Sequence, residues 1–359
     1  MIKVPSKMMA VVTTGNGGYN KLDYKLVDTP RINNDEVLIK VLAAGLNNTE
    51  INTRIGWYSS LVKDGTEELN NKLESGLKVN NGGWSGSTKF PLIQGTDCCG
   101  QIVKLLNHNY QNLIGKRVIV RSCMRVNGFN SKEKIWMASD FDGSFAEYVR
   151  VPLSEVFAIN CNWSNEELAT IPCSYGTAEN MLHLSRCKKT DIVLITGASG
   201  GVGSAAIQLA KIRGAKVIAS IGKEKKEYAL KLGADQTIDR SNNIFNTLGS
   251  NSVDLVVDVV GGSQFQNFFK IIKPTGRYIS SGAIAGPIVN FDLRDLYLKD
   301  ISIIGSTTWE EPIFHNLVKY IEDDLIKPLV AKTYPLSEIV RAQKEFLLKK
   351  HFGNLVLIP

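Results

Sequence analysis

The sequence lacks long hydrophobic runs. No stretch of about 18 uninterrupted apolar residues occurs, and the first residues lack the apolar core of a signal peptide. Long basic blocks are missing as well, although the formal net charge is +7 at pH 7. The first absence excludes a membrane-spanning helix, and the second argues against nucleic acid as the main partner. We therefore expect a cytoplasmic protein whose partner is neither a membrane nor a nucleic acid.

Cysteine is scarce and its spacing is irregular. The six cysteines are Cys98, Cys99, Cys123, Cys161, Cys173 and Cys187. This scatter excludes a disulfide framework, so reduced thiols are expected. What the chain does have is 359 residues and a hydrophobic fraction of 43%, which is enough for two domains with sizeable cores.

A glycine cluster between two apolar stretches is the most informative motif. Residues 192–195 form an apolar run typical of a buried parallel strand, and Gly197, Gly200, Gly201 and Gly203 follow it at once. Apolar residues then recur at helical spacing, and residues 215–221 predict a second strand. This order of elements predicts a site where N–H groups and the helix dipole hold a pyrophosphate.

The cluster departs from the Gly-x-Gly-x-x-Gly fingerprint, because Ala198 occupies its first position. Gly200 lets the backbone approach the phosphates, and Gly203 lets the helix pack against the strand. The alternative is a glycine turn that only makes a tight strand–helix corner. A helix and a second strand at the expected distance favour the dinucleotide site.

The second strand ends without the acidic residue that usually binds the ribose hydroxyls of the cofactor. Gly222 stands at that position, and lysines follow it, among them Lys223 and Lys226. The missing carboxylate removes repulsion against a 2′-phosphate, and the lysines attract one, so we expect NADP(H) rather than NAD(H). The alternative is that residues 223–226 are only the solvated start of a helix.

Strand and helix patterns divide the chain into three parts. Residues 1–154 are rich in predicted strands, at 8–14, 24–27, 36–43, 101–106, 115–120 and 144–151. They also contain a Gly-, Asn- and Ser-rich segment at 59–87, which we interpret as a surface insertion. Residues 309–359 return to this pattern after a helix at 311–323, with strands at 329–334 and 354–358 and a helix at 336–349.

The middle part, residues 155–308, alternates strands and helices. Its predicted helices lie at 166–171, 176–184, 205–212, 223–232 and 265–272, and its predicted strands at 192–195, 216–221, 236–238, 253–257, 277–280 and 301–306. This alternation predicts an α/β fold with a doubly wound parallel sheet.

Several motifs together resemble the medium-chain dehydrogenase/reductase superfamily. They are A-A-G-L-N-N-T-E-I-N-T-R-I-G-W-Y, P-L-I-Q-G-T-D-C-C-G, G-S-F-A-E-Y, G-A-S-G-G-V-G, L-G-A-D and F-G-N-L-V-L, and they extend over nearly the whole chain. The resemblance implies a GroES-like β-domain formed by both chain ends and a central Rossmann domain, with the active site in the cleft between them. It also implies a homodimer, with residues 301–306 as an edge strand at the interface.

Zinc-dependent members of this family carry a Cys where this chain has Asn47 and a His where it has Thr96, and only Cys173 matches the third ligand. Zinc needs three well-placed ligands and an open fourth position. The resemblance therefore implies that the chain holds no zinc and that Cys173 is a packed core thiol rather than a ligand or redox group.

The zinc-free quinone oxidoreductases match better, with a run similar to Asn47, Glu50, Arg54, Gly56 and Tyr58, although Asn52 replaces a common Tyr. The resemblance implies Asn47, Asn52, Tyr58 and Thr177 as hydrogen-bond donors to a developing oxyanion. Tyr58 either also delivers a proton, a task that water can perform, or is only a partly buried aromatic beside Trp57. Glu50 and Arg54 are expected to pair with each other rather than to act in catalysis.

Residues in the glycine turn, at the strand ends and at positions similar to the family's are expected to bind the cofactor. They are Thr177, Ala198, Ser199, Gly200, Gly201, Val202, Ser220, Lys223, Lys226, Gly261, Gly282, Ala283 and Asn354. Asp97 and Asp258 are expected to be structural hydrogen-bond acceptors.

The function expected from all of this is an NADPH-dependent, zinc-independent reductase of a quinone or an α,β-unsaturated carbonyl compound. Two alternatives stay open. One is an alcohol or aldehyde dehydrogenase of the same fold, which would need a substitute for the metal as Lewis acid. The other is an NADP(H)-binding protein of low turnover that acts as a redox sensor, scaffold or RNA binder.

Overall fold

The computed structural model describes residues 3–79, 82–83, 86–133 and 135–359. These residues form two compact units. Within the described ranges, the first unit contains residues up to 62, 69–173 and 314–359, and the second contains residues 63–68 and 174–313. Both chain ends therefore belong to the first unit, as the β-rich pattern at each end predicts.

Up to residue 173 the chain is built mainly of strands rich in Val and Ile, whose branched side chains suit a pleated surface. The elements are β1 (Lys7–Thr13), β2 (Leu22–Asp28), β3 (Glu36–Leu46), α1 (Asn48–Arg54), α2 (Thr66–Glu74), β4 (Leu92–Ile93), β5 (Cys99–Leu105), β6 (Arg117–Val120), β7 (Cys123–Met124), β8 (Ile135–Trp136), β9 (Tyr148–Pro152), β10 (Val156–Ala158) and α3 (Asn165–Leu168).

Strands and helices then alternate before the chain returns to the first unit. The elements are α4 (Pro172–Leu184), β11 (Ile192–Ile195), α5 (Gly201–Ile212), β12 (Lys216–Ile221), α6 (Lys226–Lys231), β13 (Gln236–Asp239), α7 (Ile244–Leu248), β14 (Val253–Asp258), α8 (Phe265–Ile271), β15 (Ile272–Ser280), α9 (Arg294–Tyr297), β16 (Ser302–Gly305), α10 (Pro312–Glu322), β17 (Val330–Pro335), α11 (Ile339–Leu347) and β18 (Asn354–Ile358). Short 3₁₀ helices cover Tyr19–Lys21, His108–Leu113, Leu153–Glu155, Lys223–Lys225, Gly262–Gln264 and Leu336–Glu338.

β3 is the central strand of the first unit. Its sheet has the order β10-β6-β5-β3-β18-β17, and β9 also pairs with β3. The last strand of the chain, β18, runs antiparallel to β3, so the two ends of the sequence meet in one sheet. Most of β3 is buried, with Lys40 as its exposed residue, because the core of the unit packs on both of its faces.

The second unit contains a parallel sheet with the order β13-β12-β11-β14-β15-β16, and every pairing in this order is parallel. Numbered along the chain, the strand order is 3-2-1-4-5-6, which is that of a doubly wound dinucleotide-binding sheet. The strands themselves stay parallel, but the side to which successive strands are added changes between β11 and β14. The predicted α/β fold with a doubly wound parallel sheet is confirmed.

Residues 59–87, which we interpret as a surface insertion, contain the helix α2, and one face of this helix is buried. Helix α2 buries Thr66, Leu69, Asn70 and Leu73, and the two leucines belong to the core of the first unit. These residues occupy positions i, i+3, i+4 and i+7 and so share one face of the helix. The Gly-, Asn- and Ser-rich composition of the segment obscures this helical period. Residues 80–81 and 84–85 of the segment lie outside the described residues.

Several element boundaries also differ from the expected ones. The strand expected at 144–151 begins at Tyr148, and the helix expected at 223–232 is divided into a 3₁₀ turn and α6. Helices α7 and α9 were not expected, because elements of 5 and 4 residues are too short to show a helical period.

The division into units differs from the expected boundary at residue 154, because residues 155–173 lie in the first unit. Buried Glu155 accepts a hydrogen bond from Arg121 Nε at 2.6 Å. Strand β10 pairs with β6, and the Cys173 N–H donates to the Asp97 carboxylate at 2.6 Å. These contacts connect residues 155–173 to earlier strands. The functional domain limits 1–154, 155–308 and 309–359 stay a prediction.

Candidate functional site

The glycine turn of the second unit has the geometry of a phosphate-binding corner. Gly197 follows β11 in a left-handed conformation with φ of 57°, and Gly200 caps helix α5. A Cβ on Gly203 would lie 2.3 Å from the Gly197 carbonyl oxygen, whereas one on Gly200 would have only that oxygen near it, at 3.5 Å. Gly203 therefore serves packing, and the space beside Gly200 is open for a ligand.

The expected cofactor residues of the turn differ in how much of their surface is accessible to solvent. Ser199, Gly200, Gly201 and Val202 are half-buried and line the accessible side of the turn. Ala198 is fully buried, and its N–H donates to the Ser220 carbonyl oxygen at 3.3 Å. The first N–H groups of a helix have no partner within that helix, so this end of α5 presents donors to an anion.

The end of β12 carries charges of both signs. Lys223 is exposed and Lys226 is half-buried. Glu224 folds back, so that its Oε1 lies 2.6 Å from the position of a Cβ on Gly222. A carboxylate therefore does stand near the position where the sequence lacks an acid. Sequence reasoning missed Glu224 because the fingerprint counts positions along the strand and ignores a side chain that folds back.

Two further cations lie beside this strand end. Lys225 is buried, and burial lowers the pKa of its ammonium, with Glu224 opposing and Arg240 adding to the shift. The pKa of Asp239 is lowered mainly by hydrogen bonds from Ser241, with smaller contributions from Lys226 and Lys223. Arg240 was missed because it follows β13, the neighbouring parallel strand. Its position just after a strand was the available signal.

Two loops at the carboxyl ends of β14 and β15 pack on each other. Gly261 and Gly262 have φ of 64° and 72°, a conformation that suits glycine. The Ala285 N–H donates to the Val260 carbonyl oxygen at 2.9 Å, and a Cβ on Gly261 would meet the Ala283 Cβ at 3.1 Å. The ends of parallel strands are where ligands bind in such sheets.

Asp258 fixes the first of these loops. Its buried carboxylate accepts hydrogen bonds from the Thr196 hydroxyl, from the Val260 and Gly261 N–H groups at 2.9 and 3.1 Å, and from the Tyr278 hydroxyl at 2.6 Å. Burial, together with Asp258, raises the pKa of Tyr278, so this hydroxyl keeps its proton and donates. The carboxylate is therefore committed to structure.

The remaining expected cofactor residues are distributed over both units. Thr177 is half-buried on α4, Ser220 is buried near the end of β12, and Gly282 is half-buried in the loop after β15. Asn354 is buried at the start of β18 in the first unit, and its N–H donates to the Leu329 carbonyl oxygen at 2.8 Å.

A buried polar cluster in the first unit contains the positions of the family's zinc ligands. Asn47 Nδ2 donates to Thr96 Oγ1 at 3.2 Å and to Asp97 Oδ2 at 2.8 Å. Glu50 accepts from the Asn47 N–H at 2.8 Å and from the N–H and hydroxyl of Thr96 at 2.8 and 2.7 Å. Asp97 Oδ1 accepts from the Cys173 N–H at 2.6 Å. All four carboxylate oxygens thus already accept hydrogen bonds from the protein.

Local sequence explains how this cluster forms. Asn47 is the N-cap of α1 and Glu50 is its third residue, and the two make a reciprocal capping box. A Cβ on Gly45 would lie 2.4 Å from Asp97 Oδ2 and 2.5 Å from the Ala169 carbonyl oxygen. Only glycine at this position lets Asp97 approach β3 so closely.

Burial controls the protonation of the cluster. Desolvation raises the pKa of Asp97 to about 7, with hydrogen bonds from Asn47 and Cys173 opposing the shift and Glu50 adding to it. Desolvation also raises the pKa of Glu50, against hydrogen bonds from Thr96 and Asn47. For Cys173, desolvation and then the charges of Asp97 and Glu50 raise the thiol pKa well above its ordinary value.

These donors do not fit a zinc ion. An amide and a hydroxyl replace two ligands, and the carboxylate oxygens already accept hydrogen bonds from the protein. Over residues 3–79, 82–83, 86–133 and 135–359, no group of three or more His, Cys, Asp and Glu side chains is arranged to hold a metal ion.

Tyr58 lies next to this cluster and is half-buried. Its hydroxyl is hydrogen-bonded to the side chains of Asn52 and Thr49, and burial raises its pKa. The Trp57 ring packs edge-on against it, with ring centroids 5.6 Å apart. The structure thus brings together Tyr58 and Asn52, two of the expected catalytic residues, and adds Thr49, which sequence reasoning missed.

The expected pairing of Glu50 with Arg54 is wrong. Glu50 is committed to the cluster, and buried Arg54 donates instead to Gln343 Oε1 at 2.9 Å, Asn70 Oδ1 at 2.9 Å and the Gly17 carbonyl oxygen at 2.7 Å. The helical spacing is correct, but both side chains are buried and each is hydrogen-bonded to residues outside α1.

None of the helices formed by the described residues is both long and apolar enough to cross a membrane. Residues 33–160 match the family described as alcohol dehydrogenase GroES-like domain, which confirms the expected GroES-like part of the fold. Residues 201–323 match the family described as zinc-binding dehydrogenase.

Curated relatives include an acryloyl-coenzyme A reductase from Sulfurisphaera tokodaii, 26% identical over 98% of this chain and 100% of the relative. An NAD-dependent alcohol dehydrogenase from Saccharolobus solfataricus is 26% identical over 94% of this chain and 96% of the relative. A quinone oxidoreductase from Rattus norvegicus is 24% identical over 92% of this chain and 92% of the relative.

A solved structure from Sinorhizobium meliloti 1021, provisionally described as an alcohol dehydrogenase, is 40% identical with a TM-score of 0.88. The match covers 99% of this chain and 98% of that one. With its GroES-like part, its Rossmann sheet and these relatives, which include quinone oxidoreductases, the chain belongs to the medium-chain dehydrogenase/reductase superfamily of oxidoreductases, which bind nicotinamide cofactors.

Proposed function

We propose that this protein transfers hydride from NADPH to a quinone or an α,β-unsaturated carbonyl compound without zinc. The observation that carries the proposal is the cluster at the zinc-ligand positions, where Asn47 donates to Thr96 and Asp97 at 3.2 and 2.8 Å. A metal there would have to break these bonds and remove the proton of a buried thiol. Acryloyl-coenzyme A reductases and quinone oxidoreductases among the relatives support a conjugated carbonyl as the substrate.

In this proposal the second unit holds the cofactor. The exposed side of the turn at residues 199–202 and the start of α5 bind the pyrophosphate, and Lys223, Lys226 and Arg240 attract the 2′-phosphate. The loops after β14 and β15 receive the nicotinamide half. When bound, NADPH supplies the hydride, and the protein supplies orientation and electrostatics.

The first unit supplies the substrate-side groups. Negative charge develops on the carbonyl oxygen of a conjugated substrate as hydride arrives, and a hydroxyl that donates to this oxygen stabilises it. Tyr58, held by Asn52 and Thr49, is the proposed donor. Asn47 has both amide hydrogens directed at Thr96 and Asp97, so we propose that it positions the cluster.

Replacing Tyr58 by phenylalanine is expected to lower kcat about 30-fold and to change KM little, because the lost donor acts mainly in the transition state. Steady-state kinetics with a quinone and an enone measures this. Tyr24→Phe is the control, since Tyr24 is exposed on β2. An unchanged kcat in Tyr58→Phe would mean that Tyr58 only packs beside Trp57 and that water delivers the proton.

The double variant Lys223→Ala/Lys226→Ala is expected to raise the dissociation constant of NADPH about tenfold and to leave that of NADH unchanged, since only NADPH carries the 2′-phosphate. Lys231→Ala, at the exposed end of α6, is the control. Removing the carboxylate in Glu224→Gln should favour NADPH further. Equal affinity of the wild-type protein for the two cofactors would end the NADP(H) proposal.

The function itself is tested by following NADPH oxidation with a panel of quinones, enones and aldehydes, together with metal analysis of the purified protein. Reduction of quinones or enones by zinc-free protein supports the proposal. One zinc per chain would contradict it. If NADPH binds and no compound is reduced, the protein is a cofactor-binding sensor or RNA binder of low turnover.

The second candidate is an alcohol or aldehyde dehydrogenase. It is favoured by the 40% identical structure and by the NAD-dependent alcohol dehydrogenases among the relatives. Adding alcohols together with NAD⁺ or NADP⁺ to the assay distinguishes the two candidates, since only an alcohol dehydrogenase would oxidise them.

We also propose a homodimer formed through the edge strand β16. Ile303 on this strand is 47% exposed, and Leu293, Tyr297 and Leu298 nearby are exposed as well. An unpaired strand edge can pair with its own copy about a twofold axis. Light scattering should give twice the chain mass, and a monomer would contradict this. The cytoplasmic location expected from the sequence stays a prediction.

A further inference from the structure

The segment Lys63–Thr66 joins the second unit and contacts the loop after β15. The Thr66 N–H, at the start of α2, donates to the Ile284 carbonyl oxygen at 3.0 Å. Thr66 itself is 2% exposed, so this bond is shielded from water. A shielded backbone hydrogen bond between two loops restricts the motion of both.

Gly65 makes the approach possible. A Cβ at this position would lie 2.8 Å from the Ile284 carbonyl oxygen and 3.2 Å from the Ala285 carbonyl carbon. Both neighbours are backbone atoms, which cannot rotate away as a side chain would. A side chain at residue 65 would therefore push the segment and the loop apart.

The loop at residues 282–286 is held on its other side too. The Ala285 N–H donates to the Val260 carbonyl oxygen at 2.9 Å, and a Cβ on Gly262 would meet the Ala285 Cβ at 3.0 Å. The loop thus lies between the turn after β14 and the segment Lys63–Thr66. It is the loop that contains Gly282 and Ala283, which we assign to the nicotinamide half of the cofactor.

We propose that the segment Lys63–Thr66 is a positioning element, which holds the loop at residues 282–286 in the conformation that accepts the nicotinamide half of the dinucleotide. This rests on the proposed function only for the identity of the ligand. The proposal assigns a role to residues that their composition alone would identify as part of an insertion. The adenosine half binds at the ends of β11 and β12 and does not depend on the segment.

The test compares Gly65→Val, Thr66→Pro and Gly15→Val with the wild-type protein. Thr66→Pro removes the N–H donor at the first position of a helix, where proline is tolerated. Gly15→Val is the matched control, since a Cβ on Gly15 meets nothing within 4 Å. Two properties are measured: amide hydrogen exchange of residues 282–286 without cofactor, and affinity for NADPH and for adenosine 2′,5′-bisphosphate.

Gly65→Val and Thr66→Pro are expected to speed exchange of the loop about tenfold, as the loss of one backbone hydrogen bond implies. Their affinity for NADPH should fall about tenfold, while that for the bisphosphate stays within about twofold. Gly15→Val should match the wild type in every measurement. Unchanged exchange of the loop in both variants overturns the inference, and so does an equal loss of NADPH and bisphosphate affinity. Because the exchange arm needs no cofactor, failure of NADPH to bind the wild type would count against the proposed function alone.

Discussion

Replacing Gly200 by valine is expected to weaken NADPH binding about 100-fold or more, the equivalent of two charge-assisted hydrogen bonds, and to leave the fold intact. The N-cap residue has an extended backbone, with φ of −83° and ψ of 173°, which valine adopts freely. The only atom near the new Cβ is the Gly197 carbonyl oxygen at 3.5 Å, an ordinary contact. The new Cβ would therefore enter the space that the pyrophosphate needs without a close contact to the protein.

Gly203→Ala is the matched comparison for this experiment. Its Cβ would lie 2.3 Å from the Gly197 carbonyl oxygen and 2.7 Å from the Ala198 Cα, both backbone atoms. The turn must move, which costs about 1–3 kcal/mol of stability and also disturbs the cofactor site. Calorimetry and cofactor titration separate the two variants, since Gly200→Val loses binding alone and Gly203→Ala loses both. Wild-type affinity in Gly200→Val would mean that no pyrophosphate binds at this turn.

The stability of the protein is expected to fall as the pH rises from about 4 to 7, because Asp97 is buried. Its pKa is raised from 3.8 to about 7 in the folded protein, so the folded state holds a proton over this range that the unfolded chain has already released. Raising the pH therefore favours unfolding, by up to roughly 4 kcal/mol for this group. The raised pKa of Glu50 acts in the same direction.

Asp97→Asn removes this titration. The variant should lose a large part of the pH dependence between pH 5 and 8, and the raised pKa values of Glu50 and Asp140 should produce what remains. At the acid end it should be less stable than the wild type, because the amide NH₂ group cannot accept one of the two hydrogen bonds that the Asp97 carboxyl group receives from Asn47 and Cys173. Urea unfolding across this pH range, followed by tryptophan fluorescence, measures both effects.

Asp292→Asn is the control for the pH experiment. Asp292 is held ionised by Arg294, with its pKa lowered to about 2, so it does not titrate between pH 5 and 8. This variant should keep the wild-type pH dependence. If Asp97→Asn kept it as well, the Asp97 carboxyl would have to be ionised in the folded protein throughout this range.

The parallel sheet and its glycine turn were predictable because their signals are local. An apolar run, four glycines and a helical period within residues 192–212 specify a strand, a corner and a helix, and the structure places them at β11 and α5. The helix α2 obeys the same rule and was missed, since the interpretation relied on the composition of the segment instead of its spacing. Very short elements such as α9 carry no readable period at all.

The polar contacts of the first unit were not predictable in this way. Helical spacing put Glu50 beside Arg54, but Arg54 bonds to Gln343, a residue 289 positions away. Glu50 instead meets Thr96, 46 positions away, because the sheet brings β3 and β5 together. The periodicity of a helix or strand relates residues only a few positions apart, so it cannot predict contacts between residues so far apart in sequence.

The sequence by itself determined the doubly wound sheet, its glycine corner and the replacement of two residues at the family's zinc-ligand positions, since each depends on residues close in the chain or on residue identity. Only the tertiary structure decided which partners the carboxylates of Glu50 and Asp97 take, that Glu224 and Arg240 flank the end of β12, and that Gly65 supports the loop at residues 282–286. These contacts join residues distant in sequence, and their energies depend on burial, which exists only once the chain has folded.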